Sequence, residues 1–217
     1  MSCRLYLLRH GVTESNRNGR YMGRSHEPLS GDGRWQARQL ALRLAQVDLS
    51  AVYSSPLRRA QETAEIVAGS HRLPVETEPG FIELDLSRWA GLSAAEIEAK
   101  DPEAWHTWCD DPSRLALAGI EPFADLASRV KGAVEGLRRR HPNHSIAVVT
   151  HDGVVRMAVL QAMELALTHY RSIPVDNTSI TILELGGVRP YLRALNDIGH
   201  LTDSASALGS GRGPADR

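Results

Sequence analysis

Three short apolar runs in this 217-residue chain each end at residues that can do acid–base or anion-binding chemistry. The runs and their polar ends are Leu5–Leu8 before Arg9-His10-Gly11, Ala51–Tyr53 before Ser54-Ser55, and Ser145–Thr150 before His151-Asp152-Gly153. A neutral imidazole can attack an electrophile or carry a proton, and the planar guanidinium of arginine binds anions through paired hydrogen bonds. A single histidine at the end of a strand is common and carries little information. Several apolar runs that each end at such polar residues favour one site to which all of them contribute.

Helical patterns separate these runs, so strands and helices alternate along the chain. The expected elements are strands at 4–9, 51–53, 145–150, 178–185 and 191–195, and helices capped by Ser30, begun by Pro56, and spanning 123–140 and 154–165. This alternation predicts a three-layer α/β/α sandwich with a mostly parallel central sheet, in which 145–150 is a central strand. Ligands of such sheets bind outside the carboxyl ends of the strands, so the polar ends should meet in one crevice.

At roughly 150 residues per domain the chain corresponds to about one domain. We expect a single catalytic domain over residues 1–201. Its irregular segment at about 80–125, with three tryptophans among acidic and proline residues, is expected to form a partly helical lid insertion. Residues 202–217, rich in Ser, Gly, Ala and Asp, are expected to form a flexible tail.

Charge and cysteine content exclude several classes of protein. Lys and Arg number 25 against 26 for Asp and Glu, so the net charge of -1 gives no global basic field of the kind that binds nucleic acid. Two cysteines are too few for a disulfide framework or a thiolate metal site. The chain has no apolar run of membrane-spanning length and no signal-peptide pattern, so we expect a cytoplasmic protein without membrane or nucleic-acid partners.

Four segments, taken in order, resemble the histidine phosphatase superfamily, whose fold is phosphoglycerate-mutase-like. They are Arg9-His10-Gly11, the stretch 54–64 with Arg58-Arg59-Ala60, Glu83 ahead of Trp89-Ala90-Gly91-Leu92, and Val148–His151. The resemblance extends from Leu5 to Leu201 and includes Arg20-Tyr21-Met22-Gly23-Arg24. It implies a metal-independent phosphomonoesterase without a cofactor. The pattern is closest to phosphatases of the α-ribazole phosphate, metal-independent phosphoserine and broad-specificity kinds.

The resemblance also implies roles for individual residues. His10 would take the phosphoryl group and form a phosphohistidine that water hydrolyses. The phosphoryl oxygens would be bound by Arg9, Asn16, Arg59 and His151, with Met22 and Gly23 also at the substrate-binding site. The resemblance favours Arg59 over Arg58, because the arginine of the family motif precedes a small residue, here Ala60. Glu83 would protonate the leaving oxygen and then accept a proton from the attacking water.

The chain departs from the family pattern at three places. Ser87 and Asp152 each replace a common glycine, and Gly119-Ile120-Glu121-Pro122 stands where a Gly-Gly-Glu-Ser pattern is frequent. A carboxylate facing a phosphate would repel it, so we expect Asp152 either to turn away or to recognise an amine or hydroxyl of the substrate.

Alternatives of other classes remain open. A phosphoglycerate-type phosphomutase is less favoured, because residues 84–122 are acidic and contain only Arg88, Lys100 and Arg114 as basic residues. A catalytically idle phosphate-binding or scaffolding domain could use the same pocket. Cys3 and Arg9 have the spacing of a cysteine phosphatase, but the residues between them form a predicted buried strand rather than a phosphate-binding loop. The expected partner is a small-molecule phosphate ester, and the resemblance suggests a homodimer.

Overall fold

The computed structural model describes residues 2–186 and 189–204, and a six-stranded sheet lies at the centre of this part. Its strands are β1 (Cys3–Arg9), β2 (Leu49–Ser54), β3 (Val75–Thr77), β4 (Ser145–Thr150), β5 (Ile180–Leu185) and β6 (Tyr191–Asp197). The strand order is β3-β2-β4-β1-β5-β6. The first four strands are mutually parallel, whereas β5 is antiparallel to β1 and β6 is antiparallel to β5.

Helices cover both faces of the sheet, which confirms the predicted three-layer sandwich. They are α1 (Glu14–Arg17), α2 (Gly31–Leu44), α3 (Arg58–His71), α4 (Ala94–Lys100), α5 (Pro102–Asp110), α6 (Phe123–Arg140) and α7 (Asp152–Ala162). Apolar residues of α2 and α3 form one buried cluster with the sheet. Those of α6, α7 and the middle segment form a second cluster on the opposite face.

Strand β4 lies between β1 and β2 and is parallel to both, as predicted. Ala147 and Val149 belong to one buried cluster, whereas Ile146 and Val148 belong to the other. Successive side chains of a strand point to opposite faces of the sheet. Because helices cover both faces here, the strand is apolar at every position of this run.

Several element bounds agree with the expectation and two do not, the first being α7, which was expected over 154–165 and spans Asp152–Ala162. Ser30 caps α2 by accepting a hydrogen bond from the Gly33 amide at 3.0 Å, and α6 has the predicted bounds. The prediction that Pro56 begins a helix is wrong, since α3 begins at Arg58 and Leu57 is extended with ψ 138°. The Ser55 hydroxyl accepts a hydrogen bond from the Leu57 amide at 3.3 Å and so competes with an earlier helical start. Strand β3 and helix α1 were not anticipated.

The middle segment contains the short helices expected there. Besides α4 and α5 it has single 3₁₀ turns at Pro79–Phe81, Ser87–Trp89 and Pro112–Arg114. Trp89, Trp105 and Trp108 are buried and bind this segment to the cluster on the α6 face. That the segment opens and closes as a lid stays a prediction.

At the C-terminal end a 3₁₀ turn covers Gly199–Ser204, and the rest of the predicted tail, 205–217, lies outside the described residues. Among the helices described, none combines the length and the apolar character needed to cross a membrane.

The loop after β1 is held against the first turn of α2. Gly11 and Gly33 approach so closely that a Cβ on Gly11 would lie 2.5 Å from the Gly33 carbonyl oxygen, and a Cβ on Gly33 would overlap the Val12 carbonyl. Ser30 adds a hydrogen bond from its hydroxyl to the Val12 carbonyl at 3.0 Å. The loop that follows Arg9-His10 is thereby fixed by main-chain packing.

We expect Gly33→Ala to lower the free energy of unfolding by about 1–3 kcal/mol, because its new methyl group must displace backbone. Gly136→Ala in α6 is the matched control, since no atom lies within 4 Å of its added Cβ. That variant should be about 0.5–1 kcal/mol more stable than the wild type, because glycine disfavours helix interiors. Urea unfolding of the three proteins measures both values, and a Gly33→Ala protein as stable as Gly136→Ala would contradict the close approach.

Candidate active site

A cavity of about 70 Å³ lies at the carboxyl ends of β1 and β4, as the sequence predicted, and Arg59 reaches it from α3, the helix that follows β2. Of the predicted site residues, those lining it are Arg9, His10, Asn16, Met22, Gly23, Arg59, Glu83 and Asp152. His151 lies next to this group, with its ring centroid 5.1 Å from that of His10. Residues remote in sequence are therefore brought together by the parallel sheet.

His10 has its two ring nitrogens in different surroundings. Nδ1 lies 2.8 Å from the Gly11 carbonyl, an acceptor only, so Nδ1 carries the proton. Nε2 then has the lone pair, and it accepts a hydrogen bond from Nε of Arg59 at 3.2 Å. Burial, followed by the charges of Arg59 and Arg9, holds the pKa of His10 well below its usual value. The imidazole is therefore neutral near pH 7.

Arg59 is 1% exposed, and main-chain carbonyls hold its guanidinium. Its Nη1 donates to the Ser25 carbonyl at 2.6 Å and its Nη2 to the Gly23 carbonyl at 2.9 Å. Burial lowers the pKa of Arg59 to about 10, so the side chain remains charged at neutral pH. The adjacent Arg58 is exposed, as expected, and pairs with Glu62 at 2.8 Å, whereas the role of Arg59 in binding phosphate stays a prediction.

Arg9 and Asn16 contribute further polar groups to the cavity wall. Arg9 is 3% exposed and donates from Nη1 to the Val175 carbonyl at 2.5 Å. The side-chain oxygen of Asn16 accepts from the Thr13 amide at 3.2 Å and from Asn177 at 3.3 Å. Because that oxygen is occupied, the amide nitrogen of Asn16 is the group available to a ligand.

His151 is fully buried at the start of α7. Its Nε2 lies 2.7 Å from the hydroxyl of Ser55, and its Nδ1 has no hydrogen-bond partner among the described residues. Burial, then the charge of Arg59, lowers the pKa of His151 well below its usual value. Ser55 was expected near the site only as part of the polar end of β2. The structure makes it the direct partner of this imidazole.

Glu83 stands in an irregular stretch after the turn Pro79–Phe81 and lines the cavity. Burial raises the pKa of its carboxyl, and the nearby Asp152 raises it further. The Leu84 amide donates to Oε1 at 2.7 Å and, with the charges of Arg59 and Arg9, opposes that rise. The surroundings of Glu83 thus raise the pH at which its carboxyl loses the proton.

Asp152 does not simply turn away from the cavity, because it is one of the lining residues. Its Oδ1 accepts a hydrogen bond from Nε of the buried Arg156 at 2.6 Å. Arg156 also donates to the Tyr170 carbonyl at 3.1 Å. The negative charge near the phosphate region is therefore partly balanced. Recognition of a substrate amine or hydroxyl by Asp152 stays a prediction.

Met22 and Gly23 line the cavity from the loop after α1. The Met22 sulfur accepts a hydrogen bond from the Thr13 hydroxyl at 3.3 Å, and the Gly23 carbonyl holds Arg59. Gly23 has a φ of +50°, and an added Cβ would lie 3.1 Å from the Leu86 amide nitrogen. This residue therefore allows the loop to approach the segment that carries Glu83.

The cysteine-phosphatase alternative is incompatible with the fold. Cys3 and Arg9 occupy opposite ends of β1, a strand of seven residues, so about 20 Å of chain separates them. Burial also raises the pKa of the Cys3 thiol, which disfavours the reactive thiolate.

Comparison with known proteins identifies this arrangement. The model of the histidine phosphatase superfamily (branch 1) matches residues 5–198. The chain belongs to this superfamily. Phosphoserine phosphatase 1 of Hydrogenobacter thermophilus is 34% identical over 91% of this chain and 94% of its own length. Adenosylcobalamin/alpha-ribazole phosphatase of Escherichia coli is 30% identical over 89% and 95%, respectively.

A solved structure gives the same result for the fold. Bacillus stearothermophilus YhfR superposes with a TM-score of 0.87 at 34% identity, covering 92% of this chain and 99% of its own. The predicted histidine phosphatase family, its α/β fold and its phosphatase activity are confirmed.

Sequence reasoning missed several residues that shape this histidine phosphatase site. Gly153 faces Glu83, since a Cβ there would lie 2.7 Å from both Glu83 Oε1 and the Tyr170 hydroxyl. Arg129, on α6, donates to the Glu83 carbonyl at 3.2 Å. Asn177 donates to the His10 carbonyl at 3.0 Å. The glycine next to Asp152 was visible in the sequence, but nothing local connects the other two residues to the site.

We expect Gly153→Ala to lower kcat/KM by about 10²-fold, because the methyl group must move the Glu83 carboxyl by about 1 Å. Gly132→Ala is the control, as it adds a methyl group to α6 with no atom within 4 Å. Steady-state kinetics on an alkyl phosphate and urea unfolding should show lost activity without a matching loss of stability. Unchanged activity would contradict the close contact between this helix start and Glu83.

Proposed function

We propose that this histidine phosphatase hydrolyses small-molecule phosphomonoesters without a metal ion, through a phosphohistidine formed on Nε2 of His10. The observation that carries the proposal is the state of His10. Its Nδ1 is committed to the Gly11 carbonyl, while its Nε2 holds a lone pair beside two buried arginines. A neutral imidazole of fixed tautomer next to fixed positive charge is suited to attack a phosphoryl group.

In the first step Nε2 forms a bond to phosphorus while the bond from phosphorus to the ester oxygen breaks. Arg59, which donates to Nε2 before substrate binds, transfers its hydrogen bond to a phosphoryl oxygen and so frees the lone pair. The protonated carboxyl of Glu83 gives its proton to the leaving oxygen, which departs as an alcohol. Burial of Glu83 supports this protonated form.

In the second step water attacks phosphorus, and the carboxylate of Glu83 accepts the water proton. The bond between phosphorus and Nε2 breaks, which returns His10 to its neutral form and yields inorganic phosphate. Arg9, Asn16, Arg59 and His151 would stabilise the charge on the phosphoryl oxygens in both steps. Because guanidinium groups supply the positive charge, the scheme needs no metal ion.

The substrate is proposed to be a small-molecule phosphate ester, as for the phosphatases that this chain resembles. Phosphoserine and α-ribazole phosphate, from the names of two relatives, are the first candidates. Asp152 favours a substrate with an amine or hydroxyl. A cytoplasmic location, a homodimer and the absence of a nucleic-acid partner belong to the same proposal.

The sequence left two alternatives open, a phosphoglycerate-type phosphomutase and an idle phosphate-binding domain, and the phosphatases among the relatives argue against both. A mutase would move the phosphoryl group within or between substrates without releasing stoichiometric phosphate. A binding domain would retain inorganic phosphate but release none from any ester. Assays of phosphate release therefore separate all three functions.

Replacing the nucleophile should abolish hydrolysis. We expect His10→Ala to lower kcat on p-nitrophenyl phosphate by about 10⁴-fold or more, as when other covalent nucleophiles are removed. His144→Ala, which changes an exposed histidine, is the control and should keep wild-type kinetics. Both proteins and the wild type are assayed in EDTA, where the wild type should keep full activity. Loss of wild-type activity in EDTA with recovery in magnesium would refute the metal-free scheme.

Removing the acid should matter most when the leaving group needs a proton. For Glu83→Gln we expect kcat/KM, which reports the step that releases the alcohol, to fall about 10²–10⁴-fold for propyl phosphate and under about tenfold for p-nitrophenyl phosphate.

The pH profile gives an independent check of the same assignment. The raised pKa of Glu83 means that wild-type activity on propyl phosphate declines as pH rises through that pKa, because the proton donor is lost. Glu83→Gln should lack this alkaline decline. Equal losses for the two substrates, or an unchanged alkaline limb, would show that Glu83 is not the acid.

A further inference from the structure

Three consecutive loop residues, Gly23, Arg24 and Ser25, contact both Arg59 and the segment of Glu83. The carbonyls of Gly23 and Ser25 accept hydrogen bonds from the two terminal nitrogens of Arg59 at 2.9 and 2.6 Å. The side chain of Arg24, between them, donates from Nε to the main-chain carbonyl of Glu83 at 3.0 Å. One short segment therefore fixes a phosphate-binding group and the main chain of the acid.

The charge of Arg24 is balanced away from the cavity. Its Nη2 lies 3.1 Å from Oε2 of Glu121, and its Nη1 lies 3.8 Å from Oδ2 of Asp85. Glu121 is also bound by both Nε and Nη2 of Arg129, at 2.7 and 2.9 Å. Residues 119–122 depart from the family pattern, but Glu121 is retained there, and its carboxylate pairs with both Arg24 and Arg129.

Arg129 reaches the same stretch from α6. It donates to the carbonyls of Gly80, Ile82 and Glu83 at 3.0, 2.5 and 3.2 Å. The Glu83 carbonyl oxygen consequently accepts hydrogen bonds from two guanidinium groups. Arg129 belongs to the body of the fold, whereas Arg24 belongs to the loop that holds Arg59.

We propose that Arg24 is a positioning residue, which sets the place of the Glu83 main chain relative to Arg59 and so aligns the acid with the bound phosphoryl group. This inference rests on the proposed function, in which Glu83 is the proton donor. Arg24 acts on the main-chain carbonyl rather than on the carboxyl. A guanidinium placed on the carboxyl itself would favour its ionised form and remove the proton that the reaction needs.

The test is Arg24→Met, which keeps the length of the apolar stem and removes the donors. We expect kcat/KM for propyl phosphate to fall about tenfold, because the acid is displaced, and that for p-nitrophenyl phosphate to change less than about twofold. Competitive inhibition by inorganic phosphate should also change less than about twofold, since Arg59 keeps its main-chain acceptors. Arg24→Lys, which restores a positive donor, should recover part of the loss.

A double-mutant cycle separates positioning from a general structural role. In the Glu83→Gln background, Arg24→Met should cause no further loss on propyl phosphate, because the group that it positions is already gone. Arg17→Met is the matched control, since Arg17 is an exposed arginine paired with Asp32 and Glu14. It should keep wild-type kinetics on both substrates.

Each other outcome rejects the inference. Equal losses on the two substrates, a weaker inhibition by phosphate, or additive effects in the cycle would show that Arg24 only supports the fold. Unchanged kinetics would show that Arg129 suffices. If Glu83→Gln itself lacks substrate selectivity, the acid assignment fails and the inference fails with it. If Glu83→Gln loses more activity on propyl phosphate than on p-nitrophenyl phosphate but Arg24→Met does not, the inference about Arg24 fails while the acid assignment stands.

Discussion

The hydrogen bond between the buried guanidinium of Arg59 and the neutral imidazole of His10 is the contact around which the site is organised. Burying a charge is costly unless hydrogen bonds replace its water. The carbonyls of Gly23 and Ser25 provide those bonds, so the loop that carries them must pass directly beneath α3. The same positive charge disfavours a second one on His10. One buried arginine thus fixes the course of a loop and adds to the effect of burial in keeping a histidine neutral.

Burial has opposite consequences for the two titrating groups that the proposed reaction uses. Removal from water disfavours the charged form of any side chain, which lowers the pKa of an imidazole and raises that of a carboxyl. His10 and Glu83 show these two shifts, with burial as the largest cause in each. A buried site therefore supplies a basic nitrogen without its proton and an acid with its proton at the same pH.

Much of the fold and the centre of the site could be predicted because the information is local. The fully apolar run before Thr150 requires a strand covered on both faces, and the resemblance to the family motif, in which a small residue follows the arginine, distinguishes Arg59 from Arg58. The position of Pro56 was misleading, because a hydrogen bond from the Leu57 amide to Ser55 outweighs its preference for a helix start. Strand β3, only three residues long and largely exposed, has too little apolar pattern to be recognised.

The residues around Glu83 could not be predicted for a different reason. Arg24 and Arg129 contact its carbonyl across 59 and 46 positions of sequence. Arg24 stands in a segment that resembles the family, but nothing in that segment connects it with Glu83, and Arg129 stands in no motif at all. Gly153 likewise matters for the space that it leaves beside Glu83 and Tyr170. Such contacts are set by packing between distant elements, and only the folded chain reveals them.

The hydrogen bond from Arg59 to Nε2 of His10 also affects which electrophiles can react with the imidazole. An electrophile without anionic oxygens offers the guanidinium no better acceptor, so the lone pair stays covered. A phosphate ester brings its own acceptors, draws the guanidinium toward them and uncovers the nitrogen that it will react with. We therefore expect the imidazole to react slowly with alkylating or acylating compounds, although it lines the cavity. Selectivity against unwanted reactions is built into the same contact that makes the wanted one feasible.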